Sequence, residues 1–159
     1  MPSPRSLRRK LLATFALAPL AALARNEPAP AKILVEVWKD PQCGCCADWI
    51  AHLQEAGFAV KANENGNAAM RAKLGMPQAL GSCHTALVGG YAIEGHVPAR
   101  EIRRLLKEKP QAVGLAVPGM PVGSPGMDGP AYGGRRDPYD VLLVPRTGEP
   151  RVFASYHRG

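Results

Sequence analysis

The stretch ILVEVWKDPQCGCCADWIAHL, residues 33–53, constrains the fold more than any other part of the chain. A run of β-formers ends at Asp40-Pro41, and cysteines follow at 43, 45 and 46. Apolar residues then recur at Cys46, Trp49, Ile50 and Leu53, the spacing of a helix with one face on a core. A strand over 33–38 that turns directly into such a helix predicts an α/β arrangement, with the cysteine turn at the carboxyl end of the strand. That is the usual place for a site in such sheets.

The rest of the chain continues the pattern. Phe58 to Ala62 reads as a short strand after Gly57, and AAMRAKLG (68–75) as a second helix stopped by Gly75 and Pro77. Thr85 to Val88 and Tyr91 to Ile93 flank Gly89-Gly90, a hairpin signal. Pro98 opens a third helix whose Ile102, Leu105 and Leu106 face inward while Arg103, Arg104 and Lys107 face water. From Pro110 to Pro138 glycine and proline dominate, so this segment reads as a long Gly/Pro/Met-rich loop. YDVLLV and RVFASY, around PRTGEP, predict a C-terminal hairpin. The expected fold is a thioredoxin-like α/β sandwich on one small mixed sheet.

The N-terminus has the form of a secretory signal over residues 1–24. Arg5, Arg8, Arg9 and Lys10 precede the apolar stretch LLATFALAPLAAL, and Ala22-Leu23-Ala24 offers a cleavage site. RNEPAPAK then supplies a tether, which places a metal-binding domain at 32–159 after a linker at 25–31. The apolar stretch is too short to span a bilayer, so no membrane span is expected after cleavage. Removing 1–24 takes four basic residues away, and the net charge falls from +7 to +3 (16 Lys and Arg against 13 Asp and Glu). That excess is too small to argue for nucleic acid. An exported chain meets an oxidising compartment such as a bacterial periplasm, where four cysteines are bridged, redox-active or metal-bound.

Cys43 and Cys46 stand in C-x-x-C spacing at a helix N-terminus, where free backbone N–H groups and the helix dipole favour thiolate. A thiolate serves equally as nucleophile and as soft ligand. Cys45 adds a sulfur that dithiol exchange does not require. Cys83-His84, just before the Thr85 strand, adds a fourth sulfur and an imidazole beside the turn. The set Cys43, Cys45, Cys46, Cys83 and His84 suits Cu(I), with Met120 and Met127 of GMPVGSPGM as soft caps that also suit Ag(I). A Cys3His zinc site matches on ligand count. Structural zinc, however, favours paired and separated motifs, and the surplus of sulfur points to copper. The plainer alternatives are a stable Cys43–Cys46 disulfide and an inert buried Cys83. His96 reads as a partner behind the ligands or, more simply, as a polar loop residue; the plainer alternatives also make His52 solvent-facing and Met120 and Met127 packing residues, and they give His157 little weight.

WKDPQCGCCADWIAHLQEAGF, SCHTALVGGYAIEGHVPAREIRRLL and GLAVPGMPVGSPGM together resemble the CopG family of periplasmic copper-resistance proteins. The resemblance runs over about residues 32 to 154. It implies a thioredoxin-like fold, a Cu(I)-thiolate site on Cys43, Cys45, Cys46 and Cys83 with His84 close by, and a place in copper or silver tolerance among other periplasmic copper-handling proteins. It also implies, as an alternative, redox cycling of bound copper or of the thiols. Ordinary thioredoxins carry a cis-proline opposite the C-x-x-C turn. The matching segment here, Ser82-Cys83-His84-Thr85, has none and offers ligands instead. The competing function is therefore a thiol–disulfide oxidoreductase in which Cys43 attacks and Cys46 resolves.

Overall fold

The protein is described here by a computed structural model covering residues 31–158. The leader expected at 1–24 and the tether up to residue 30 lie outside the described residues. The strands are β1 (Leu34–Lys39), β2 (Ala59–Asn63), β3 (His84–Val88), β4 (Tyr91–Glu94), β5 (Ala112–Ala116), β6 (Tyr139–Pro145) and β7 (Arg151–Tyr156). The helices are α1 (Gly44–Glu55), α2 (Ala68–Lys73) and α3 (Ala99–Glu108), with short 3-10 turns at Gln78–Leu80 and Pro130–Tyr132.

All seven strands join one mixed sheet in the order β2-β1-β3-β4-β5-β6-β7. β1 lies parallel to β2, and β4 parallel to β5; the other pairs are antiparallel. The period-2 alternation of strands separates two apolar faces. Val35, Val37, Ile93, Leu115, Val141 and Leu143 pack with Trp49 and Leu53 of α1 and with Ile102 and Leu105 of α3. Their neighbours Ala92, Ala116 and Val144 pack on the opposite face against Met76, Leu74 and Leu80. Both long helices therefore cover one side of the sheet, which fixes the start of α1 above the end of β1.

The expected α/β arrangement on one mixed sheet is present, with the C-terminal hairpin extending the sheet to seven strands. One expectation needs correcting. The Gly/Pro-rich segment is not one loop: Ala112–Ala116 forms β5, an interior strand between β4 and β6. Ala112, Gly114 and Ala116 dilute the strand signal of Val113 and Leu115, but both neighbouring strands are present to pair with it.

His52 is also placed otherwise than expected. It is half-buried, and the Ala99 N–H at the start of α3 donates to its Nε2 at 3.1 Å. Pro98, the N-cap residue, offers no side-chain acceptor. Burial holds the His52 pKa below the ordinary value. The neutral ring this favours is the form that can accept the bond.

Candidate metal centre

The turn after β1 is closed by Cys43 N–H donating to Asp40 O, and Cys43 then becomes the N-cap of α1. Helical geometry sends Cys46 into the core, where it is fully buried, and leaves Cys45 partly exposed beside it. Trp49, one turn on, is wholly buried and its Nε1 donates to Val97 O at 2.9 Å. This anchor ties α1 to the segment just before α3.

The second wall comes from the start of β3. The Cys83 Sγ lies 3.9 Å from the Cys45 Sγ, and the Cys46 Sγ lies 3.6 Å from the Cys83 carbonyl oxygen. The Cys45 Sγ is also 3.6 Å from that of Cys43. The sulfurs of Cys43, Cys45, Cys46 and Cys83 all fall within 4.8 Å of one another. Cys43 and Cys46 are joined as a disulfide, whereas Cys45 and Cys83 are free. The bridged pair has no thiolate to offer until it is reduced, so the set presents two thiols in this state and four after reduction.

Two imidazoles extend the sulfur set. His84 is fully buried against Trp49, ring centroids 4.2 Å apart, with its Nδ1 3.3 Å from the Cys83 Sγ. Burial lowers its pKa to about 3, and the neighbouring His96 adds to the effect. Its Nε2 is buried without a hydrogen-bond partner. An orphaned polar atom of this kind typically costs about 1–3 kcal/mol, so His84 is not there for packing alone. His96 lies in the loop between β4 and α3, and of its two readings the contact with Cys83 favours the partner of the ligands. It is fully buried, with Nε2 3.2 Å from the Cys83 Sγ and Nδ1 2.8 Å from Pro125 O. A carbonyl only accepts, so Nδ1 carries the proton and the neutral ring turns a lone pair towards sulfur. Burial favours that neutral form by lowering the His96 pKa. Cys83, His84 and His96 thus form a second convergent group that shares its sulfur with the first. No periodicity in the sequence marks His96; its one signal is a histidine between a strand and a proline-capped helix.

The two methionines separate. Met120 is half exposed, with its Sδ 4.0 Å from the Cys45 Sγ. Met127 is buried, and its Sδ accepts a hydrogen bond from the Tyr132 hydroxyl at 3.2 Å, so its sulfur is engaged within its own loop. That loop is seated by Gly126, where φ is +85° and a Cβ would stand 2.6 Å from Cys45 O and 2.7 Å from Trp49 N. Only glycine allows so close an approach to α1. The far end of the loop is held by the C-terminal hairpin. His157 Nε2 lies 3.1 Å from Gly123 O, and the Asp137 N–H donates to Val122 O. His157 therefore has a structural use that sequence reading does not credit.

Burial, reinforced by the neighbouring Cys45 thiol, pushes the Cys83 thiol up to about 12. It is protonated at neutral pH, so any ion it binds must displace that proton. A pocket of about 400 Å³ opens onto this sulfur, lined by Arg71, Gln78, Ser82, Cys83, Gly119 and Met120 among others. The donor chemistry, sulfur first and neutral imidazole second, is that of a site for a soft metal ion.

Comparison with known proteins agrees with that chemistry. A family described as "Protein of unknown function, DUF411" matches residues 80–127, which include Cys83, His84, His96, Met120 and Met127. No curated protein matches. Among solved structures, "Copper resistance protein copG- Form 2" is similar at 45% identity and a TM-score of 0.73, over 80% of this chain and 100% of that chain. "Copper resistance protein copG- Form 1" is similar at the same identity and TM-score, over 79% of this chain and 98% of that one.

Proposed function

The chain belongs to the family of the copper resistance protein copG, and on that premise we propose that it binds Cu(I) in the periplasm, as part of copper or silver tolerance. The observation that carries this reading is the convergence of four cysteine sulfurs within 4.8 Å. In the reduced chain Cys43, Cys45, Cys46 and Cys83 act as thiolate ligands. His84 stands beside Cys83, and Met120 caps the open side. Sulfur coordination keeps copper in its reduced state and away from harmful redox chemistry. The leader at 1–24 sends the chain out of the cytoplasm, and the strand order β2-β1-β3-β4 with α1 after β1 supports the thioredoxin-like reading of the domain.

The test is an anaerobic competition titration of the reduced chain with a chromogenic Cu(I) chelator, with Zn(II) in parallel. Tight Cu(I) binding with weak Zn(II) binding is expected. Tight Zn(II) binding without preference for Cu(I) would overturn the assignment.

One observation favours a second reading, a thiol–disulfide oxidoreductase. The Cys43–Cys46 disulfide sits at the N-terminus of α1 with the free Cys45 thiol next to it. Such a bridge accepts two electrons and two protons from a substrate dithiol, leaving Cys43 and Cys46 as thiols and the substrate as a disulfide. Under this reading Cys45 and Cys83 are dispensable. Oxidation of a substrate dithiol that survives in C45S and C83S, in chains that have lost copper binding, would favour it.

A further inference from the structure

Cys83 is not held by the sheet ladder, since β3 begins one residue later at His84. What holds it is a buried ion pair between α2 and β4. Arg71 is 6% exposed and Glu94 is fully buried. Arg71 Nε donates to Glu94 Oε1 at 2.9 Å, and its second terminal nitrogen lies 2.8 Å from the same oxygen. That nitrogen also donates to Ser82 O at 2.6 Å, while the Ser82 N–H donates to Glu94 Oε1 at 2.7 Å. Thr85 Oγ1 donates to Glu94 Oε2 at 2.6 Å, and Asn67 Nδ2 reaches Ser82 O at 3.1 Å. Both backbone groups of the residue before Cys83, and the side chain of the residue after His84, are thus fixed by one charged pair. Ser82 Oγ in turn donates to Gly119 O, next to Met120. A Cβ on Gly95 would stand 2.6 Å from that hydroxyl, so the hydroxyl has little room to move.

Buried ion pairs return little net stability once both charges have been desolvated. Their best-attested use is to select one arrangement over others. Here every side-chain hydrogen bond of the pair outside itself, except one from Arg71 to Gln78, ends on the residues bracketing Cys83 and His84. We propose that Arg71 and Glu94 are positioning residues that set the Cys83 sulfur against the trio on α1, and so control soft-metal binding without touching the metal. The proposal rests on the reading of this site as a Cu(I) site.

The experiment compares the full chain with R71M/E94L, C83S and the combination of the two, by anaerobic Cu(I) competition on reduced protein. Replacing both charges by apolar groups removes the clamp without leaving one charge stranded, so the fold is retained. Outer partners of metal ligands are usually worth about 10- to 100-fold in affinity, and a loss in that range is expected. In the C83S background the same double substitution should change Cu(I) affinity by less than about twofold, because a device acting through Cys83 has nothing left to act on. Wild-type affinity in a folded R71M/E94L chain overturns the proposal. An equal further loss in the C83S background also overturns it, since the effect would then be one on the whole fold. Should R71M/E94L not fold, N67A removes the mildest member of the network and is expected to lower affinity in the same direction. An N67A chain with wild-type affinity then overturns the proposal.

A second readout separates this proposal from the site assignment. In metal-free protein the alkylation rate at Cys83, followed by peptide mass spectrometry, should rise about tenfold in R71M/E94L while the Cys45 rate stays within about twofold. If the wild-type chain binds no Cu(I), the copper reading fails, and the alkylation rates alone decide the positioning role. Equal rates at Cys83 in the two chains would end it.

Discussion

The two walls of the sulfur cluster are built by opposite means. The wall on α1 is local: Cys43, Cys45 and Cys46 are set by a turn, an N-cap and the pitch of one helix. The wall on β3 is assembled from afar. Cys83 depends on Arg71 from α2, Glu94 from β4, and His96 from the segment between β4 and α3. A local wall tolerates change elsewhere in the protein. An assembled one can be disturbed by substitutions that never touch a sulfur, and it can also be tuned by them.

The largest effect should come from removing the assembled wall outright. C83S is expected to lower Cu(I) affinity of the reduced chain by roughly a hundredfold or more, beyond the range usual for outer partners of a ligand, as read by chelator competition. Next in size is the effect on the fold of breaking the buried pair from one side. E94Q leaves Arg71 without its counter-charge, and unfolding in urea should show a loss of about 3–5 kcal/mol. A change below about 0.5 kcal/mol would mean that the charges are not buried in solution.

Acid should separate the walls as well. The folded-state pKa of His84, about 3, lies below its ordinary 6.5, so between those values the unfolded chain binds a proton that the folded chain refuses. The stability this group contributes is complete above pH 6.5 and drains as the pH falls towards 3. The slope is about 1.4 kcal/mol per unit for one fully buried histidine. Metal-free H84F should lose that slope in urea titrations between pH 7 and 5; an unchanged slope would place the acid sensitivity elsewhere. Copper affinity should also fall with acid, by about tenfold per pH unit for each thiol proton displaced, because the Cys83 thiol is protonated at neutral pH. The smallest effects belong to the methionines. M120A should weaken Cu(I) binding by a few-fold at most, about 1 kcal/mol or less for an exposed thioether. M127L should leave it within about twofold, since its sulfur is occupied by Tyr132.

The same contrast explains what could be read from the residues. The strand, the turn and α1 were legible because C-x-x-C spacing and helical periodicity are local signals, and Cys83-His84 stood out as an adjacent pair of donors. Met120 and Met127 look alike as text, yet only one reaches the cluster, because loop paths are set by contacts such as Gly126 on Cys45 and Trp49. β5 is hard to read because Ala112, Gly114 and Ala116 interrupt Val113 and Leu115 in a Gly/Pro-rich setting, and its strand state comes from its two neighbours. The partners of His96 and His52 are hidden for a related reason: a histidine withdrawn from water is stabilised by distant carbonyl, sulfur or N–H groups that no sequence window contains. The redox state of Cys43 and Cys46 was open on spacing alone, which suits a dithiol, a disulfide and a ligand pair alike.

The central claim is that the distant sulfur of Cys83 shares a metal with the trio on α1. X-ray absorption at the copper edge, on anaerobic Cu(I)-loaded chain with and without C83S, tests it most directly. The expected first shell is dominated by sulfur at about 2.3 Å, the distance usual for metal–thiolate bonds, with a measurable drop in sulfur count in C83S. A first shell of nitrogen or oxygen, or a spectrum that C83S leaves unchanged, would contradict it.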